Sequence, residues 1–391
     1  MTLLSRVDLA EVAEALRALR LDGWLIYDFQ GINPVAKRIV GAGGLGSRRL
    51  FVWLAATGRS VAVGHKIELQ PLQGFPGEVR PYATWQELHA ELGKLVRGRR
   101  IAVEWSPEDQ VPYLDRLPAG VVELLRKLGA EIVSSEPLVS RFAARWSPGE
   151  LANHRVAAEK LAEIAKTSLG EAVRQAGQVT EFQLQQRVIE RIAKAGLATT
   201  HPPIVGFGVN AANPHYEPSA EGSPVLRKDE VILLDLWGGV QADTVFADQT
   251  WMGFSGTSIP DRVQKVWVAV RDARDAAVQR LRRAWESGET VTGRDLDAAA
   301  RAVIVERGFG DAFVHRTGHS IDTDLHGSGP HLDSYETDDA RELIAGVGFS
   351  VEPGVYLTGD FGVRSEINVA LQASGPEVTP REPQVDLIVR S

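Results

Sequence analysis

Four carboxylic acids lie inside apolar stretches that are typical of buried strands. Asp235 follows an apolar run at 231–234, and Asp248 lies in a second strand-like stretch thirteen residues later. Glu352 interrupts a third stretch and Glu366 a fourth. A buried carboxylate is costly unless it is paired or metal-bound, so each acid alone is more often a salt-bridge or turn residue. Four together predict a shared site that holds cations.

Six of the nine histidines fall at positions 201–331, and four of these six lie between the acids in sequence. His315 and His319 are four residues apart, as in helical zinc motifs. That motif needs Glu directly after the first histidine, where this chain has Arg316, and Gly318 weakens a helix. We therefore exclude the helical zinc motif and keep the histidines as candidates for another kind of metal site.

A glycine-rich stretch, Gly41–Gly46, has the spacing of a dinucleotide-binding fingerprint. That fingerprint requires a strand before it and a helix after it, so that phosphate meets a helix N-terminus. Residues 50–54 form instead a strand-like apolar run. The context predicts a flexible loop without a nucleotide.

Composition narrows the class of protein. The 391 residues include 43 Lys and Arg against 51 Asp and Glu, a formal net charge of −8. This balance argues against binding to nucleic acid or to an anionic membrane surface. The absence of cysteine excludes disulfides, thiolate nucleophiles and iron–sulfur clusters. No apolar run approaches a membrane span and no signal core opens the chain, so we expect a globular cytoplasmic protein.

The pattern of helices and strands predicts two domains. Short helices alternate with short strands over residues 1–142, which predicts a small α/β domain. A capping box at Ser147 and Glu150 opens a long helix that runs to about residue 176, and a second box opens at Thr180. The domain 147–391 has two further predicted helices, at about 260–285 and 292–306, and strands at 231–236, 245–252, 348–357, 363–371 and 385–389. Paired helices and long strands predict an α+β fold.

The ordered acids and His319 resemble the five metal ligands of the pita-bread metallopeptidases, family M24, which includes methionine aminopeptidases, aminopeptidase P and prolidase. The local motifs are similar too: Asp-x-Thr at 248–250, Gly-His at 318–319, Glu-Pro-Gly-x-Tyr at 352–356 and Gly-Val-Arg-x-Glu at 362–366. The first 140 residues resemble, more loosely, the creatinase-type N-terminal domain. Methionine aminopeptidases lack that domain, so the resemblance implies the Xaa-Pro peptidase branch.

The resemblance implies two divalent metal ions per subunit, and it implies these ligands: Asp235, Asp248, His319, Glu352 and Glu366. Four carboxylates balance the charge of two such ions, and oxygen-rich ligation suits Mn²⁺ or Co²⁺, with Zn²⁺ also compatible. Two metals about 3.5–4 Å apart can hold a bridging hydroxide and polarise a carbonyl. By resemblance, Glu352 also carries the proton from this nucleophile to the departing nitrogen.

The resemblance implies roles for four more residues, because their positions match those of functional residues in the family. His215, His315 and His326 would contact the substrate, with His315 and His326 stabilising the oxyanion of the tetrahedral intermediate. Arg364 would orient the acidic ligands. We expect His201 and His331 to be solvated loop residues.

The chain also departs from the family pattern. The first two aspartates are thirteen residues apart here and usually eleven, so Asp243 is a rival to Asp248. Asp248 is preferred because Thr250 follows it as the motif requires. Ser320–Asp322 replaces the usual Gly-x-Gly after His319, which predicts a different pocket for the residue beyond the scissile bond.

The expected reaction is hydrolysis of the bond between an N-terminal residue and proline, in dipeptides or in longer peptides. Arg341 is a candidate for binding the free carboxylate of a dipeptide, and the alternative is a solvated Arg. The resemblance also implies a homodimer. The competing class is a metal-free creatinase-like hydrolase or a non-catalytic binding scaffold, either of which would be expected to have lost several ligand positions.

Overall fold

The computed structural model describes residues 3–41 and 46–390. Within these ranges the chain divides into two compact units, and the division lies between Ala144 and Arg145. Residues 42–45 belong to the glycine-rich stretch, so the predicted loop lies largely outside the described residues. No helix in the described ranges has both the length and the apolar composition needed to cross a membrane.

The N-terminal unit is built around one six-stranded mixed sheet. Its strands are β1 Gly23–Asp28, β2 Leu50–Ala55, β3 Ser60–His65, β4 Glu78–Tyr82, β5 Arg100–Val103 and β6 Glu131–Ser134. Their spatial order is β4-β3-β2-β1-β5-β6, and β2 is antiparallel to both of its neighbours. The helices are α1 Leu9–Ala18, α2 Pro34–Val40, α3 Trp85–Val96, α4 Ala119–Lys127 and the single turn α5 Glu136–Leu138.

Successive residues of the central strand β1 belong to two different apolar clusters. Trp24 and Ile26 lie in one cluster, and Leu25 and Tyr27 lie in the other. This alternation is the period of two that a strand imposes on its side chains. Because all four residues are buried, both faces of the sheet are covered.

The C-terminal unit combines three separate sheets with four long helices. The helices are α6 Pro148–Arg174, α7 Glu181–Lys194, α8 Asp261–Ser287 and α9 Gly293–Glu306. The strands are β7 Ile204–Phe207, β8 Val231–Gly238, β9 Ala247–Phe254, β10 Gly348–Val351, β11 Gly354–Leu357, β12 Phe361–Arg364, β13 Ile367–Gln372, β14 Gly375–Thr379 and β15 Ile388–Val389. The sheet orders are β15-β9-β8-β7, β10-β13-β14 and β11-β12.

Capping boxes begin α6 and α7, as the sequence predicts. The backbone N–H of Glu150 donates to Ser147 Oγ at 3.2 Å, and the N–H of Ser147 donates to the Glu150 carboxylate at 2.7 Å. Thr180 and Gln183 form the same pair of bonds. Each box satisfies N–H groups that the first helical turn leaves unpaired. The apolar face of α6 then packs against β8 and β9.

Two strands predicted from the sequence, 348–357 and 363–371, are each broken in the structure. β10 and β11 replace the first, and β12 and β13 replace the second. Pro353 lies in the first break and has no N–H to donate to a ladder. The predicted strand at 385–389 is limited to β15, which pairs in parallel with β9.

A buried polar cluster surrounds Glu104, the residue that follows β5. Glu104 is fully buried, and its carboxylate accepts hydrogen bonds from Trp24 Nε1 at 2.6 Å, Asn33 Nδ2 at 3.2 Å and Ser135 Oγ at 3.3 Å. Burial raises the pKa of Glu104 to about 7, although these donors oppose the shift. The folded chain therefore binds a proton at Glu104 more tightly than the unfolded chain does.

This proton linkage makes stability depend on pH. The free energy of unfolding should fall as pH rises from about 4.5, the range of an unfolded Glu, to about 7, by roughly 3 kcal/mol. Glu104→Gln should remove this component, because an amide does not titrate. Urea unfolding of both proteins at pH 5 and pH 8 measures it. An unchanged pH dependence in the variant would contradict the prediction.

Candidate metal centre

The antiparallel pairing of β8 and β9 brings two aspartates to one face. Asp235 lies opposite Thr250, and Trp237 lies opposite Asp248. Side chains two residues apart on a strand share a face, so Asp235, Asp248 and Thr250 lie on the same side of the ladder. Both aspartates are buried.

Asp243, the rival of Asp248, lies in the exposed turn that joins the two strands. It is outside the β8–β9 ladder, whereas Asp248 is within it. The structure therefore brings Asp248 to the other acids and leaves Asp243 at the surface.

The two glutamates lie at the paired breaks in the other sheets. The residue before Glu352 pairs with the residue after Glu366, so the two breaks lie opposite each other. Across the gap, the N–H of Ser365 donates to the carbonyl of Pro353 at 3.3 Å. Thr250 Oγ1 lies 2.9 Å from Glu366 Oε2, which ties these breaks to the face that carries the aspartates.

His319 presents one ring nitrogen to these acids. Its Nδ1 lies 3.1 Å from the carbonyl oxygen of Ser320, and because a carbonyl only accepts, Nδ1 carries a proton. Nε2 is then an acceptor whenever the ring is neutral. Nε2 lies 3.4 Å from Asp248 Oδ2 and 3.4 Å from Glu352 Oε1. The backbone N–H of His319 donates to Ser350 Oγ at 3.0 Å, which fixes the segment beside β10.

The donor set fits divalent metal ions. One ligand atom from each of Asp248, His319 and Glu366 lies within 4.8 Å of the other two. Asp248 Oδ1 and Glu366 Oε1 are buried and have no hydrogen-bond partner among the described residues. Such oxygens are costly to bury without a partner, and carboxylates with one imidazole are ligands that Mn²⁺, Co²⁺ and Zn²⁺ accept.

The pKa values of the four acids also indicate a cation site. Burial raises the pKa of Asp235 to about 7, and it raises the pKa values of Asp248 and Glu366 as well. Burial also raises the pKa of Glu352, but the charge of His319 and of nearby guanidinium groups outweighs it and holds that pKa at about 2. Keeping Asp235, Asp248 and Glu366 ionised thus has an electrostatic cost that divalent cations would offset.

Arg364 is a buried cation among these acids. Its guanidinium donates to Asp235 Oδ2 and, through Nε, to Thr250 Oγ1 at 2.8 Å. Thr250 can then donate its own O–H to Asp235 or to Glu366. Arg364 therefore fixes the orientation of Asp235, the role that the resemblance implies for it.

His326 and His215 lie near this group. The ring centroid of His326 is 4.2 Å from that of His319, and His326 is exposed. The charge of His319 lowers the pKa of His326 to about 3, with burial and the charges of Arg316 and His215 adding to the effect. His215 is itself exposed but lies within electrostatic range of His326.

Both ring nitrogens of His315 have hydrogen-bond partners within the protein. Its Nδ1 lies 2.6 Å from the carbonyl oxygen of Arg316, and its Nε2 lies 2.8 Å from the hydroxyl of Tyr356. Nδ1 must donate to the carbonyl, so Nε2 accepts from Tyr356. Burial lowers the pKa of His315, which favours this neutral form. Donation from His315 to a substrate stays a prediction and would require a change in these bonds.

The expectation that Arg341 is solvated, or receives a substrate carboxylate, is wrong. Arg341 is only 2% exposed. It pairs with Asp339 at 2.6 Å and 2.9 Å and donates to the carbonyls of Ser328 at 2.7 Å and Gly329 at 2.6 Å. Its guanidinium therefore holds the loop that follows His326.

Several supporting residues were not predicted from the sequence. His331, expected in solvent, is 1% exposed and accepts the N–H of Ser320 at its Nδ1. Asn368 exchanges two hydrogen bonds with the backbone of Asp248, at 3.0 Å and 2.7 Å. Asn368 interrupts an apolar strand just as the acids do, so the same pattern could have identified it. His201 is exposed, as expected.

A comparison with known protein families agrees with these features. The model of metallopeptidase family M24 matches residues 152–373, more than half of the chain. The chain belongs to family M24. All five predicted ligand positions of this M24 chain fall within the matched residues.

Relatives and solved structures agree with this assignment. The chain is 31% identical over 191 residues to the Xaa-Pro dipeptidase of Lactobacillus helveticus, covering 49% of this chain and 46% of that one. It spans about half the length of most of the curated relatives that it matches.

The crystal structure of dipeptidase PepE from Mycobacterium ulcerans matches over 97% of this chain and 96% of that chain, at 25% identity and a TM-score of 0.78. The Xaa-Pro dipeptidase from Bacillus anthracis matches over 98% of this chain and 100% of that chain, at 22% identity and a TM-score of 0.69. The predicted fold, an α+β pita-bread domain preceded by a smaller α/β domain, is confirmed.

The geometry predicts which aspartate binds metal. Asp248→Asn should lower the affinity for Mn²⁺ or Co²⁺ by on the order of 10–100-fold or more, because it removes a ligand charge from the buried site. Asp243→Asn, in the exposed turn, is the matched control and should bind metal as the natural chain does. Metal content after dialysis, measured by atomic absorption, checks both. Metal loss in Asp243→Asn alone would show that the other register is correct.

Proposed function

We propose that this chain is a dinuclear metallopeptidase that hydrolyses the bond between an N-terminal residue and proline. The observation that carries the proposal is the close approach of Asp248, Glu352 and Glu366 to the ring of His319. We propose Asp235, Asp248, His319, Glu352 and Glu366 as the ligands of two divalent ions. When bound, the ions supply an activated water and polarise the scissile carbonyl.

The protein's own residues would transfer the proton, orient a ligand and stabilise the oxyanion. Glu352 is the carboxylate suited to carrying a proton, because its side chain is 13% exposed, against 9% for Asp235 and 6% for Asp248. Arg364 holds Asp235 in place, and His326, whose ring lies beside that of His319, would donate to the developing oxyanion.

The proline preference rests on the family resemblance and on relatives named Xaa-Pro dipeptidase. Arg341 gives no support for a dipeptide carboxylate site, because its guanidinium is buried in protein hydrogen bonds. The proposal therefore covers both dipeptides and longer Xaa-Pro peptides. It also includes a homodimer, whose mass sedimentation would measure. All five ligand positions are present, which disfavours the metal-free or binding-only alternative.

Peptide assays test the proposed reaction. The chain loaded with Mn²⁺, Co²⁺ or Zn²⁺ should cleave an Xaa-Pro dipeptide, an Xaa-Pro-Yaa tripeptide or both, and a chelator should abolish cleavage. The matched Xaa-Ala peptides are the control and should be cleaved far more slowly. Activity that survives chelation, equal cleavage of Xaa-Ala, or no hydrolysis with any of the three metals would contradict the proposal.

His326→Ala separates transition-state stabilisation from metal binding. A donor aimed at the oxyanion acts mainly in the transition state, so kcat should fall by on the order of 10²–10³ with a much smaller change in KM. Metal content should be retained, and His201→Ala, at an exposed histidine, should behave as the natural chain. If His326→Ala loses its metal instead, the residue is a ligand. If kcat stays within a few-fold, it is a packing residue.

A further inference from the structure

We propose that Asp297 is a positioning residue for the metal centre, acting through Thr317 on His319 and Glu352. Asp297 lies in α9 and is fully buried. The hydrogen bonds of its carboxylate within the described residues go to Arg301, Thr317 and Ser334, and none goes to a proposed ligand. The inference rests on the proposed function, because it concerns the same metal site. It gives a role to an acid that none of the sequence motifs includes.

The Asp297 carboxylate holds two segments at once. Its Oδ1 accepts from the N–H of Thr317 at 2.9 Å and from Thr317 Oγ1 at 2.6 Å. Its Oδ2 accepts from the N–H of Ser334 at 3.0 Å and from Ser334 Oγ at 2.5 Å. Four donors on one buried carboxylate are charge-assisted hydrogen bonds, so this group fixes both backbones more firmly than a neutral acceptor would.

Thr317 passes this constraint to two ligands. Its carbonyl accepts from the N–H of Glu352 at 2.7 Å, and it is two residues before His319. Between them, a Cβ added at Gly318 would lie 2.0 Å from the carbonyl oxygen of Ser350. The segment is therefore pressed against β10 and anchored to Asp297, and it has little freedom to shift without moving His319 relative to Glu352.

Arg301 completes the anchor one helical turn later. Its guanidinium lies 3.2 Å from Asp297 Oδ1 and donates to the carbonyls of Phe313 at 3.0 Å and His315 at 2.8 Å. It is sandwiched between the rings of Phe313 and Tyr335, at 4.1 Å and 4.3 Å from their centroids. The ion pair thus fixes the backbone at Phe313 and at His315, a few residues before His319.

The effect of losing Asp297 follows from these contacts. Asp297→Asn keeps one acceptor oxygen but places an NH₂ group against donors, and it leaves Arg301 without its buried partner. The backbone at Thr317 would then lose its fixed position. A ligand set held loosely binds metal less tightly, and supporting residues of this kind typically contribute 10–100-fold to metal affinity.

The test measures metal affinity directly, without peptide. Metal-free full-length Asp297→Asn should bind Co²⁺ and Mn²⁺ 10–100-fold more weakly than the natural chain in chelator competition. Its Co²⁺ visible spectrum should change, because the spectrum reports ligand geometry. The control on the same helix is Asp295→Asn, whose carboxylate caps Thr292 at 2.9 Å. It should lower thermal stability without changing Co²⁺ affinity or spectrum.

A second pair of variants keeps the test valid if Asp297→Asn does not fold. Thr317→Val removes the hydroxyl that donates to Asp297, whereas Thr317→Ser keeps it. We expect weaker Co²⁺ binding in Thr317→Val and recovery in Thr317→Ser. Co²⁺ affinity within twofold of the natural chain in folded Asp297→Asn, or equal affinities in the Thr317 pair, would overturn the proposal. A natural chain that binds Co²⁺ but cleaves no Xaa-Pro peptide would contradict only the proposed function.

Discussion

The burial of four carboxylates in an apolar interior is the constraint on which the C-terminal unit depends. Taking carboxylates out of water disfavours their charged forms, and the raised pKa values of Asp235, Asp248 and Glu366 are the direct result. Arg364 offsets part of this cost. Nearly every other polar contact around the site, from Thr250 to Asn368, orients an acid or satisfies the backbone beside it. The site is thus a small polar interior that the surrounding strands are shaped to enclose.

The strands meet this requirement in two ways. β8 and β9 keep an unbroken ladder and use the alternation of side chains to place Asp235 and Asp248 on one face. The other two acids stand where the ladders stop, at the facing breaks that hold Glu352 and Glu366. In a continuous strand, the alternation of side chains would decide which face each glutamate occupies. A break removes this restriction, so the direction of each carboxylate is set by the local backbone.

Much of this could be predicted from the sequence because the signals are local. The capping boxes at Ser147 and Thr180 specify helix starts within a few residues, and an acid inside an apolar run marks a buried polar site wherever it occurs. The interruption by Pro353 was also visible locally, yet the prediction extended the strand through it. The lesson is that a proline next to a charged residue in a strand pattern indicates a break.

The residues that the sequence did not reveal depend on contacts distant along the chain. Asp297 and Thr317 are twenty positions apart, and nothing local distinguishes Asp297 from a solvated helix acid. Arg341 and His331 lie in irregular segments, where burial is set by the packing of other elements and not by any periodic pattern. Polar residues in loops are therefore the places where sequence reasoning fails first.

The division of the site among separate sheets has a thermodynamic consequence. The proposed ligands come from the β15-β9-β8-β7 sheet, from the breaks between the β10-β13 and β11-β12 ladders and from the segment of His319. Ions held by all of them would act as a cross-link between elements that no common ladder joins. Anything that binds only the folded state stabilises it by mass action, by about 1.4 kcal/mol for each tenfold excess over the dissociation constant at one site. The free energy of unfolding of this unit would then follow the supply of free metal in its surroundings.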